Sequence, residues 1–135
     1  MTTAYSGQGI DLGHLVANAD MDSHQWKFVT TGSIAGEFKV GTGASGPAPL
    51  GVLQNDPRQG EPGIIRVAGT AKTAASGAIG YGDFVLCASN GFAMVIATAS
   101  AATQGIALGA LTSGSGYLEI LLIGQTAVTA ADNAP

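Results

Sequence analysis

Phe84–Thr98 reads FVLCASNGFAMVIAT, and this stretch decides the fold. Two apolar runs, Phe84 to Ala88 and Phe92 to Thr98, are separated by Ser89-Asn90-Gly91. Asn and Gly both accept positive φ, which tight hairpin turns need to match the right-handed twist of the strands they join. The stretch therefore reads as a β-hairpin, and the rest of the chain follows its pattern.

Downstream, Gln104–Leu111 and Tyr117–Ile123 flank the turn Thr112-Ser113-Gly114-Ser115-Gly116. In the last run Leu118, Ile120 and Leu122 share one face, with Tyr117 and Glu119 on the other, the period of a half-buried strand. Upstream, Glu37-Phe38-Lys39-Val40 alternates, and His24–Thr30 puts Trp26 and Phe28 opposite Gln25 and Lys27. Leu50–Leu53 and Ile64–Thr70 read as strands around the polar loop Gln54–Gly63, and Gly41–Pro49 is a loop of small residues. Only Ala97–Ala102 could make a helical turn, and 21 glycines argue against long helices. The expected fold is mainly β: a small single-domain β-barrel or sandwich of short antiparallel strands.

The 135 residues suit one domain. Residues 1–20 hold no sustained period and are expected to form an extended N-terminal arm; 21–124 form the β domain and 125–135 a loose C-terminal tail. A chain of this size has a folded surface of roughly 6,400 Å². The single Cys87 excludes an internal disulfide and, in its apolar run, reads as a buried small hydrophobe. The N-terminus lacks the basic start and apolar core of a signal peptide, and no apolar run approaches the roughly 18 residues of a membrane helix. Folding in a cytoplasm, without a membrane partner, is the expectation.

Charged residues make up 10% of the chain, with a net charge of −4. Ordinary domains carry about 25%. Lys27, Lys39, Arg58, Arg66 and Lys72 are scattered, so the clustered cations that displace counterions from a nucleic acid are missing. Such thin charge cover fits either a surface buried by partners or a neutral surface of Gly, Ser, Thr and Ala.

The motifs that suggest chemistry fail on spacing. Gly7-Gln8-Gly9-Ile10-Asp11-Leu12-Gly13 has Leu where a dinucleotide loop needs its third Gly, with no strand before it and no helix after. Asp20-Met21-Asp22 opens like a calcium loop, but Gln25 and Thr31 stand where Gly and Glu are required. His14 and His24 have no ligand spacing with Cys87 or a carboxylate. Gly43-Ala44-Ser45-Gly46-Pro47 lacks the final Gly of a nucleophile elbow. Asp83, after Gly82, reads as a turn cap. The expectation is no enzyme, no catalytic residue, no metal and no cofactor.

Four segments carry a family resemblance: QWKFVTTG (25–32), PLGVLQNDPRQGEPGIIRVAGTAK (49–72), AIGYGDFVLCASNGFAMV (78–95) and QGIALGALTSGSGYLEILL (104–122). In this order and spacing the chain resembles the small capsid cement, or head decoration, proteins of tailed bacteriophages. The resemblance spans residues 24–123. It implies a structural virion protein on the outer capsid surface, a homotrimer that clamps subunits of the major capsid protein. The candidate contact residues are Tyr5, Ile10, Leu12 and Leu15 in the arm and Asp56, Arg58 and Glu61 in the polar loop. On this reading the arm adds a strand to a neighbour's sheet edge, and its removal leaves a folded domain. The alternative is a β-barrel adhesion or carbohydrate-binding module with Trp26, Tyr81 and Tyr117 as a sugar platform. Packing of Trp26 with Phe28 in the core competes with that role.

Overall fold

One long strand organises the molecule. The computed structural model describes residues 9–43, 47–95 and 102–127. The strands there are β1 (Gly9–Leu12), β2 (Val16–Ala17), β3 (Phe28–Thr31), β4 (Glu37–Val40), β5 (Pro49–Leu53), β6 (Ile65–Ser76), β7 (Phe84–Cys87), β8 (Ala93–Val95), β9 (Ala102–Ala107) and β10 (Ser115–Ala127). The C-terminal part of β6 belongs to a closed barrel, and its N-terminal part to a second small sheet.

The barrel runs β6–β10–β9–β7–β8 and back to β6. β10 lies antiparallel to β6 from Ser115↔Ser76 to Leu122↔Gly69. Among the described residues the ring closes at one parallel pair, Ala75↔Ala93. A ring of five strands encloses little room, so small side chains line it: Ala71, Ala75, Ala93 and Ala107 are buried with Val85, Leu118 and Ile120. This explains why Ala71–Ser76 escapes a strand reading. Alanine is a poor strand former in general, but here it fits the space available. The expected inward face of Leu118, Ile120 and Leu122 is the buried one. At the Asn90-Gly91 turn Gly91 takes φ 87°, and its amide donates to the Ala88 carbonyl at 3.0 Å.

The second sheet continues from β6 through β5, β3 and β4 to β2, with β1 paired to β6 alone. Its core holds Ala17, Met21, Val29, Phe38, Leu53 and Ile65. β5 and β6 pair antiparallel at Val52↔Arg66 and Leu53↔Ile65, as the flanking runs imply. Besides β6–β8, β2–β4 is parallel, at Val16↔Glu37 and Ala17↔Phe38, a departure from the all-antiparallel expectation.

Three local readings change. The strand expected over His24–Thr30 starts only at Phe28, because Trp26 sits at φ 74°, uncommon for a bulky residue. The Trp26 amide donates to Leu53 O at 2.8 Å and its carbonyl accepts from Ala74 N at 2.7 Å, which stitches the two sheets together. Trp26 is half-buried, and it is Phe28 that enters the barrel core. Residues 9–17 are extended but are not a free arm: they supply β1 and β2 and bury Ala17. Removing residues 1–20 would therefore take two strands and a buried side chain from the second sheet. β10, finally, runs through Ala127, past residue 124. Tyr5, Ser45 and Ala97–Ala101 lie outside the described residues.

Candidate partner-binding surface

The polar loop Gln54–Gly63 is clamped onto residues 15–21. Ala17 N donates to Glu61 O at 3.0 Å and Gly60 N to Ala17 O at 2.8 Å. Met21 N donates to Pro57 O at 2.8 Å, and Gly63 N to Leu15 O at 2.9 Å. Side chains finish the turn. Asn55 Oδ1 accepts Ile64 N at 2.9 Å, and Glu61 Oε1 accepts Arg58 N at 2.8 Å. Asp20 Oδ1 accepts Gln59 N at 2.9 Å from across the loop. Short polar side chains that bond nearby amides are the ordinary means of fixing a turn. The loop is thus a rigid connector, and Asp56, Arg58 and Glu61 stand exposed on it.

The arm candidates separate. Ile10 is 64% exposed on β1. Leu12 and Leu15 pack against the chain's own second core. Between Ile10 and Leu12, Asp11 holds Arg66 in an ion pair of 2.5 Å, and Arg66 also donates to Thr70 O at 2.6 Å, so β1 is tied to β6 by side chains as well as by backbone. His14 is exposed. His24 is half-buried, and Lys27 Nζ donates to its Nδ1 at 3.1 Å. Burial first, then the Lys27 charge, holds the His24 imidazole below its usual range, with Asp22 pulling the other way. Asp83 Oδ2 accepts Gly80 N at 2.7 Å, the turn cap expected of it. Among the described residues no group of three His, Cys, Asp or Glu side chains could hold a metal ion.

Two of the three proposed sugar-platform residues come together. Lys72 Nζ lies 4.9 Å from the Trp26 ring centre and 5.0 Å from that of Tyr117, a geometry of cation–π attraction. The ammonium thus covers one face of each ring. Tyr81 stands on the turn before β7 and is 78% exposed.

Cys87 lies in the barrel core, where burial pushes its thiol up to about 11. Its amide donates to Gln104 Oε1 at 2.6 Å. The β7–β9 ladder ends at Val85↔Gly105, and the buried carboxamide of Gln104 takes the place of the next backbone acceptor. A thiol so placed has almost no thiolate at neutral pH. Native protein at pH 7.5 is expected to resist iodoacetamide, and urea-unfolded protein to take one label, read by intact mass; rapid native labelling would contradict this burial.

Sequence reading missed the outer wall of the barrel. Leu121 stands opposite both Thr70 on β6 and Ile106 on β9, and Ile106 opposite Phe84 on β7. Leu86 and Met94 form the next outward pair, on β7 and β8. Phe84 is 54% exposed, and Met94, Leu121 and Ile123 are each more than a third exposed. The signal was present: Phe84–Cys87 and Ile120–Ile123 are apolar at every position, which marks strands covered on both faces.

The fold is shared with a solved structure. The chain is similar to the head fiber gp8.5 N base of bacteriophage phi29, with a TM-score of 0.62 and 14% identity over 84% of this chain and 92% of that one. No protein-family model and no curated protein sequence matches the chain.

Proposed function

We propose that this chain is a structural virion protein of a tailed phage, bound to the outer capsid surface and stabilising the mature shell by clamping neighbouring major capsid subunits. One observation carries the reading: the same mainly β fold, over most of both chains, forms the N base of a phage head fiber. The four segments that resemble decoration proteins and the thin charge cover support it. Copies act as homotrimers, and no cofactor or catalytic step is involved.

The physics of such a clamp is linkage. A protein that binds only the expanded lattice stabilises that lattice by mass action. A trimer that touches several subunits turns modest contacts into avidity. The exposed charges of the rigid loop form a polar rim suited to such contact, and Ile10 on β1 supplies an apolar point near a sheet edge.

The test is cosedimentation of the full chain with undecorated, expanded phage heads, together with the melting temperature of the heads. Saturable binding and a raised melting temperature are expected. Absence of both from heads of the cognate phage would overturn the reading. The double change Arg58→Ala and Glu61→Ala removes one turn hydrogen bond, at a cost of about 1 kcal/mol, and should leave the domain folded. Weakened head binding would place the loop in the contact; unchanged binding would leave it a turn.

A further inference from the structure

We infer that the outer barrel wall formed by β7, β9 and β10, centred on Phe84, Ile106 and Leu121, is the face by which copies of this chain pack against one another. The inference rests on the self-association in the reading above and assigns it a surface.

The first observation is continuity. Register places Phe84, Ile106 and Leu121 in one row across three adjacent strands, and Leu86 and Met94 extend the face onto β8. The turn before β7 is held to the end of β9, where Gly82 N donates to Ala107 O at 2.8 Å. Leu108, the residue after β9, is 37% exposed.

The second observation is charge segregation. From Val67 to Ala127 the only charged residues are Lys72, Asp83 and Glu119; the acidic residues of the second sheet and its loops lie earlier in the chain. Glu119 shares the outward face of β10 with Leu121, and its register neighbour on β6 is Lys72. Copies with a net charge of −4 repel one another, and a face whose carboxylate stands opposite a lysine adds little to that repulsion. The wall is such a face.

The third argument selects the occupant. Surfaces that meet separate partners reversibly are about as polar as the rest of a protein, whereas interfaces between permanent copies are more apolar. A wall of Phe, Ile, Leu and Met fits the second class. Strand faces also interdigitate well, as in packed sheets.

Sedimentation velocity of the full chain without capsids tests this. The wild type is expected to sediment as a closed multiple of 13.3 kDa. Phe84→Asp, and separately the milder Leu121→Ser, should weaken self-association by about 30-fold or more, the loss seen at an interface hot spot. Both variants should keep the wild-type β-sheet circular dichroism. Ile34→Asp, at a 65% exposed site on the second sheet's side, should leave the assembly unchanged. A wild type that stays monomeric would overturn the inference, whatever the head-binding result. An oligomer that survives both wall substitutions, or dissociates equally with Ile34→Asp, would overturn the assigned face and leave self-association standing. If Phe84→Asp fails to fold, Leu121→Ser alone decides.

Discussion

Deleting residues 1–20 is expected to unfold the second sheet and not merely to trim an arm. The deletion removes buried Ala17 and half-buried Leu12, Leu15 and Val16. It also removes the bonds from Val16 N to Gly36 O and from Asn18 N to Phe38 O, and the clamps on the polar loop. The Asp11–Arg66 pair goes too. A buried aliphatic side chain contributes about 1.5–3 kcal/mol, and a hydrogen bond about 1 kcal/mol net. The combined loss exceeds ~5 kcal/mol, the lower end of a domain's whole stability. Urea titration followed by circular dichroism should show no native baseline, or a midpoint shifted far below wild type. A wild-type midpoint would mean that β1 and β2 are dispensable. Deleting residues 1–8 leaves each of these contacts in place, so that shorter deletion is the one with which to probe head binding.

The second large effect is expected at Phe38. Its ring is fully buried in the second core, and a Cβ added to Gly63 would come within 2.5 Å of it. Gly63 is thus a glycine because the ring occupies its side-chain space. Phe38→Ala leaves a void between β4 and the loop end that a rigid, hydrogen-bonded loop cannot fill. Buried Phe→Ala changes cost about 3–5 kcal/mol. For a chain of this length that corresponds to a fall in Tm of roughly 10–20 °C. Calorimetry on wild type and variant measures it. A fall of only a degree or two would show that the loop can collapse onto the vacancy.

The barrel hairpins were legible because their signals are local. Asn90-Gly91 names its turn, and the Leu118-Ile120-Leu122 alternation names its buried face. Gly82-Asp83 likewise announced a capped turn. What was hidden depends on tertiary space. Ala71–Ser76 is strand only because the narrow ring takes alanine. Trp26 leaves the extended region because its amide and carbonyl reach two different strands, Leu53 and Ala74. Residues 9–17 show no period because β1 is mostly exposed and β2 is two residues long. The candidate contacts divide on the same ground. Asp56, Arg58 and Glu61 are polar in a loop and stand in solvent. Leu12 and Leu15 are apolar, and the nearest core takes them.

The double membership of β6 has a mechanical consequence. Its first residues pair with β1 and β5, and its last eight with β10, in one unbroken backbone. A load applied between the second sheet and the barrel therefore runs along β6. Against β10 such a pull acts lengthwise, so the paired residues resist together in shear and are not peeled apart one at a time. The Ala75↔Ala93 contact that closes the ring among the described residues lies at the far end of β6 and has no comparable reserve. A pull that separates the second sheet from the barrel would act along this direction, and the seam at Ala93 would be the first place to part.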